Sequence, residues 1–289
     1  MNGFIIGTGR CGTTMLASIL NSHSQICVPP ETQLLCQYAG NGAGLHELFE
    51  AGAQFDGTAE QFIGYVQKRC PHKLHEYFDY ASYFRAQRYP VARLKEFMGD
   101  FYAAIATAKN KSICIEQTPW YGQRIDVLED LFPTAKYIHM VRDGRDVAIS
   151  FSRTPWWHNN IEHNLIRWAA EVDRIQRLSN RMLSPERILT VRYEDFVDAP
   201  HAKLEEICGF LGVAYEPSML DAQDNIDYHQ LGKMTSAPIS SLAMNQWRTE
   251  KQSPVFKDSV QAWRNFAGYD FAATPAHVKE CLARQGYDA

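Results

Sequence analysis

The stretch Phe4-Ile5-Ile6-Gly7-Thr8-Gly9-Arg10-Cys11-Gly12-Thr13-Thr14-Met15-Leu16 constrains this chain most. Three bulky apolar residues predict a short buried strand. Gly7, Gly9 and Gly12 predict a tight turn whose backbone comes close to whatever it holds. From Thr13 to Asn21, apolar Met15, Leu16, Ile19 and Leu20 share one helical face. A helix start leaves N–H groups without intrahelical partners and carries partial positive charge. A strand, a glycine turn and a helix in that order therefore make an anion cradle. Arg10 adds a fixed cation, and the Thr13 and Thr14 hydroxyls add donors.

Several kinds of site use such a turn. Gly7, Gly9 and Gly12 fit G-x-G-x-x-G, the dinucleotide fingerprint, with Glu31 nearly twenty residues on. Gly7 and Gly12 also bracket four residues, as in nucleoside triphosphatases. The lysine that would follow the second glycine is Thr13 here, which argues against γ-phosphate and Mg²⁺ chemistry. The third reading rests on Arg10 to Leu16, which match R-[SCT]-G-T-[ST]-x-L. In this stretch the chain resembles the sulfotransferases, whose loop holds the 5′-phosphosulfate of 3′-phosphoadenosine 5′-phosphosulfate (PAPS). The resemblance implies that Arg10, Cys11, Gly12, Thr13 and Thr14 bind that group.

A second strand-to-helix junction separates these readings. Tyr137 to Val141 reads as a buried strand leading into Arg142-Asp143-Gly144-Arg145-Asp146, with a helix opening at Asp146 and running through Ser150. This resembles the sulfotransferase element R-[DN]-[PG]-[RK]-D-x-x-x-S, in which the arginine and serine hold the nucleotide's 3′-phosphate. Arg142 and Ser150 occupy those positions. A guanidinium suits phosphate because it offers paired donors in one plane. A kinase would want a Mg²⁺-binding aspartate at such a strand end, and a nicotinamide oxidoreductase has no use for a second phosphate clamp. A surface Arg/Asp cluster is the structural alternative.

Further matches follow the same family. Pro29-Pro30-Glu31-Thr32 stands where tyrosylprotein sulfotransferases carry a Glu-Thr pair, so the resemblance makes Glu31 the general base that activates the acceptor. His72 and His75 are the alternative bases, since cytosolic small-molecule sulfotransferases use histidine. Glu116-Gln117-Thr118-Pro119 matches E-K-[TS]-P except that Gln117 replaces the lysine aimed at the leaving group. Glutamine donates a hydrogen bond but neutralises no charge, so Arg10 or Lys251 would have to compensate. Arg192-Tyr193-Glu194-Asp195 matches a recurrent R-Y-E-D, which gives Tyr193 the adenine contact. Residues 213–256 are irregular, and related enzymes close a polar lid from this region, which places Arg248 or Lys251 near the nucleotide. Leu282 to Asp288 resembles the end of tyrosylprotein sulfotransferases.

The expected fold is α/β, a P-loop-like three-layer α/β/α with a central parallel sheet of four to five strands. Strands near 4–6, 25–28, 112–115, 137–141 and 188–191 alternate with helices, which requires crossover connections. Residues 1–289 read as a single sulfotransferase domain, with 36–112 a helical insert that shapes the acceptor site. Within it, Tyr77, Phe78, Tyr80, Tyr83 and Phe84 form either satellite core or pocket wall. Helices are expected over 61–68, 91–109, from Trp120 to about Leu131, and over 160–180, 200–211, 260–266 and 275–285.

A net charge of −4 leaves no polyanion footprint, so no nucleic-acid partner is expected. The apolar runs are too short to span a bilayer, no signal peptide is visible, and no metal site is expected. Seven scattered cysteines without C-x-x-C fit a reducing, cytoplasmic setting. The expected reaction is sulfuryl transfer from PAPS to a small-molecule, lipid, glycan or peptide acceptor. A catalytically silent PAPS-binding protein and a nucleotide kinase stand as alternatives.

Overall fold

The computed structural model describes residues 1–36, 44–46, 57–69, 74–91, 93–154, 157–220 and 259–288. Five strands, β1 (Gly3–Gly7), β2 (Ile26–Cys27), β3 (Ile113–Gln117), β4 (Lys136–Val141) and β5 (Ile188–Arg192), form one sheet. Their order is β2-β3-β1-β4-β5, and every pairing is parallel. Gly3 of β1 faces Ile115 of β3 on one side and Lys136 of β4 on the other.

A parallel sheet buries both faces, which explains why β1 is apolar throughout rather than alternating. Successive side chains still point to opposite sides. Phe4 and Ile6 enter one core with Tyr121, Ile125, Tyr137 and Ile175. Ile5 enters the other with Leu16, Leu20, Phe196, Leu204 and Ile207. That second face is covered by α1 (Thr13–Asn21), α9 (Tyr193–Asp198) and α10 (Pro200–Leu211).

The first face carries the insert, whose described helices are α2 (Ala59–Arg69), α3 (Leu74–Tyr77), α4 (Tyr80–Arg85) and α5 (Leu94–Ala108), and then α6 (Ile125–Leu131). Aromatic rings bind the insert together. Phe84 sits 5.4 Å from Phe62, 5.8 Å from Phe97 and 5.2 Å from Phe101, centroid to centroid. These rings are continuous with Phe4 and Tyr137, so Tyr80 and Phe84 belong to the main core. A third core lies between α7 (Gly144–Ser152), α8 (Ile161–Met182) and α11 (Ala276–Arg284). Here Trp168 of α8 seats against Gly144, where a Cβ would meet the indole at 2.5 Å.

Three expected boundaries move. The α7 helix starts at Gly144, not Asp146, because Asp143 caps it by accepting the Arg145 N–H. Residues 119–131 split into a 3₁₀ turn, Pro119–Arg124, and α6, because Gly122 packs against Ile175. The expected helix over 260–266 is a short 3₁₀ turn, Ala262–Asn265. Its approach is captured by Asp146, which accepts the Gln261 N–H at 2.8 Å and the Trp263 N–H at 2.9 Å. Among the described residues no helix is long and apolar enough to cross a membrane.

From β1 the chain moves to β2 on one side, and from β4 to β5 on the other. The crevice at the carboxyl ends of β1 and β4 is thus the switch point where such sheets bind ligands. Both sequence motifs end there.

Candidate functional site

The turn after β1 is built from left-handed residues: Gly9 (φ 71°), Arg10 (φ 56°) and Gly12 (φ 95°). Turns of this kind gather backbone N–H groups into anion-binding concavities. Gly12 is also the N-cap of α1, and no side chain caps that helix. A Cβ at Gly12 would stand 2.6 Å from Tyr193 Cδ2, so only glycine lets loop and ring meet. Thr13 is buried and Thr14 exposed at the helix start. Cys11 turns inward. Its side chain is fully buried, packs into the core beneath Gly7, and has its thiol pKa raised by that burial. Only its main chain is available to a ligand.

The junction after β4 meets this turn directly. Arg142 Nη1 donates to the Arg10 carbonyl at 3.0 Å, and Arg10 Nε donates to Ser150 Oγ at 3.1 Å. Arg10, Arg142 and Ser150 therefore belong to one site. Arg142 Nη2 donates to the Ser259 carbonyl at 2.6 Å, while its buried Nε finds no partner among the described residues. Its guanidinium lies 4.7 Å over the Tyr193 ring. Tyr193 is 3% exposed, so the residue expected to touch adenine forms the floor under Arg142 and Gly12.

The neighbouring charges are no surface cluster. Arg145 pairs with Asp143 through Nε and Nη2, at 2.9 and 2.7 Å, with both residues buried. The Arg145 guanidinium stacks 3.7 Å from the Trp263 ring. Burial pushes the Asp146 carboxyl up to about 6. From the R-Y-E-D segment it is Glu194 that braces the strand end. It accepts the Asp143 N–H at 3.0 Å and the Tyr287 hydroxyl at 2.9 Å, which gives the C-terminal residues a part in the site.

Glu31, the expected base, is half-buried and accepts from Gln33 Nε2 at 2.8 Å. Gln117 is buried, and its Nε2 finds no partner among the described residues. His75 is exposed on α3 beside Glu76, with 3.8 Å between them. His72, Arg248 and Lys251 lie outside the described residues.

Two residues escaped the sequence reading. Arg167 lies beneath the loop, with Nη1 on Glu171 at 2.7 Å, Nη2 toward the Thr8 carbonyl at 3.5 Å, and its guanidinium 4.0 Å from Phe151. Glu116 is fully buried, and burial raises its carboxyl to about 7, with the nearby Glu31 charge adding to the shift. Its place in E-Q-T-P was visible, but nothing local marks it as a partner of the Glu31 segment.

The fold and the two joined strand-to-helix junctions define a class, and the sequence carries its signature. This chain belongs to the sulfotransferase family, whose model matches residues 4–217. Among curated relatives, Nodulation protein NoeE of Sinorhizobium fredii is 24% identical over 86% of this chain and 60% of its own length. Protein-tyrosine sulfotransferase 2 of Gallus gallus is 24% identical over 99% of the chain and 69% of its own length. The chain thus spans about three fifths to two thirds of these relatives. Among solved structures, the sulfotransferase domain of the Synechococcus PCC 7002 olefin synthase superimposes with a TM-score of 0.67 at 24% identity, covering 100% of this chain and 95% of that one. The sulfotransferase domain of the curacin biosynthetic pathway gives 0.68 at 20% identity, covering 100% and 99%. Both share the α/β/α fold.

Proposed function

We propose that this protein transfers a sulfuryl group from PAPS to an acceptor hydroxyl or amine, with Glu31 as general base and without a metal. One observation carries the reading: Arg10 joins the two anion-binding junctions, its carbonyl held by Arg142 and its guanidinium on Ser150. A nucleotide with phosphate at both ends suits that arrangement. The residues present fit it, because the buried Arg142 Nε has no partner among the described residues and Gly12 lets the loop close onto the Tyr193 ring beneath it.

When bound, PAPS supplies an activated sulfuryl group. The main chain from Arg10 to Thr14, the Arg10 guanidinium and the two threonine hydroxyls hold the 5′ end and offset the negative charge that grows there during transfer. Arg142 and Ser150 hold the 3′-phosphate, over the Tyr193 floor, with Arg248 or Lys251 as a further contact to the nucleotide. Glu31 takes the acceptor's proton as the new S–O bond forms. Most of the rate then comes from positioning and charge stabilisation, as in phosphoryl transfer. The ligand at the end of β4 is an anion because that strand ends in Arg142, not in a metal-binding aspartate. A phenolic hydroxyl is the first acceptor to try, given the name of the chicken relative.

The test has two stages. Calorimetric titration with adenosine 3′,5′-bisphosphate should show binding that Arg142→Ala weakens at least tenfold. ³⁵S-labelled PAPS is then offered with tyrosine peptides, phenols and glycans. Absence of bisphosphate binding by the wild type would overturn the reading. Binding without transfer to any acceptor would leave a silent PAPS-binding protein, for which Gln117 in place of the family lysine would be the reason.

A further inference from the structure

We infer that Glu116 is a positioning residue for this reaction: its buried carboxyl group seats the turn that carries Glu31 against the end of β3. The inference rests on the reading of Glu31 as the base. Three donors converge on one oxygen. Glu116 Oε1 accepts from the Thr32 hydroxyl at 2.7 Å, the Thr118 hydroxyl at 2.7 Å and the Thr32 N–H at 3.2 Å. Oε2 is buried and has no partner among the described residues.

The next link runs through Gln33. Its φ of 51° is left-handed, a conformation that costs a non-glycine residue energy and persists only where its surroundings hold it. On one side Thr32 is fixed by Glu116. On the other the Gln33 N–H reaches Thr118 Oγ1 at 3.4 Å, and Thr118 is itself fixed by Glu116. Gln33 in this pose donates from Nε2 to Glu31 Oε1. The path from Glu116 through Thr32 and Gln33 to Glu31 is continuous.

The surroundings explain why an oxygen acceptor is needed at this position. Glu31 faces Glu116 electrostatically, as do the buried Tyr121 hydroxyl and the Cys114 thiol. The Tyr102 hydroxyl lies 3.3 Å from Thr32 Oγ1. An apolar residue at 116 would strand three donors, and burying unpaired polar groups is costly. Glutamine can accept all three through its carbonyl oxygen.

The full-length protein tests this without knowledge of the acceptor. Amide hydrogen exchange is measured at Thr32 and Gln33, with α1 and α5 amides as the reference for global opening. In Glu116→Ala, exchange at Thr32 should rise at least tenfold with the reference amides unchanged. In Glu116→Gln it should stay within about threefold of wild type, a rescue by the conservative change. Thr32→Val, which keeps the N–H but deletes the hydroxyl, should fall between and serves if the alanine variant fails to fold. Hydrolysis of ³⁵S-PAPS, with water as acceptor, should drop at least tenfold in Glu116→Ala while adenosine 3′,5′-bisphosphate affinity stays within about threefold, a split that general loosening would not produce. Unchanged Thr32 exchange in Glu116→Ala overturns the inference. Wild-type hydrolysis by Glu31→Gln overturns instead the reading of Glu31 as base and leaves the exchange result standing.

Discussion

Replacing Glu116 with glutamine should change how stability depends on pH, and the structure sets the size of the effect. The Glu116 carboxyl is raised from its ordinary 4.5 to about 7, burial being the largest cause. An acid whose folded-state pKa lies above its unfolded value is bound more tightly in its protonated form by the folded state. Its contribution to stability is therefore complete below pH 4.5 and is lost as the pH climbs through 7. At ~1.4 kcal/mol per pKa unit, the span amounts to about 3 kcal/mol. Glutamine has no proton to lose. Urea unfolding of both proteins at pH 5, 6, 7 and 8 isolates the term, because other titrating groups cancel in the difference. The wild type should lose about 2.5 kcal/mol relative to Glu116→Gln over that range, most of it between pH 5 and 7. The amide NH₂ at the Oε2 position adds a constant offset of about 1–3 kcal/mol and no slope. A gap between the two proteins that stays constant within about 0.5 kcal/mol would refute the claim that Glu116 is perturbed.

Two further outcomes test the joined phosphate elements. Gly12→Ala forces a Cβ to 2.6 Å from Tyr193 Cδ2 at a φ of 95°, so it should destabilise the fold by about 2–5 kcal/mol in urea unfolding and weaken bisphosphate binding in calorimetry. Asp146→Asn retains one acceptor but loses the charge shared by the Gln261 and Trp263 N–H groups, so amide exchange at those two positions should rise about tenfold while the sheet amides do not change.

Both strand-to-helix junctions were legible because each is a local sentence: apolar strand, turn, helix start, all within about a dozen residues. The five strands were legible for the same reason, since parallel strands buried on both faces are largely apolar runs, as in Phe4 to Ile6. What could not be read depends on contacts distant in sequence. Glu116 meets Thr32 across 84 residues, and Asp146 meets Gln261 across 115. No periodicity encodes either pairing. Asp146 in turn explains the misplaced helix over 260–266, because a buried carboxylate outcompeted the helical ladder for two N–H groups. Tyr193, to which the motif gave the adenine contact, lies as a floor under Gly12 because that glycine, far away in the chain, leaves room above the ring.

The Ser259 carbonyl on Arg142 has a consequence for traffic through the site. Two main-chain oxygens already engage the Nη1 and Nη2 groups of this guanidinium, so a phosphate that takes more than its Nε edge would have to displace one of them. If it displaces the Ser259 carbonyl, the chain at that residue is released as the nucleotide docks and is drawn back in as the spent nucleotide departs. Departure would then be helped by the chain reclaiming its own arginine.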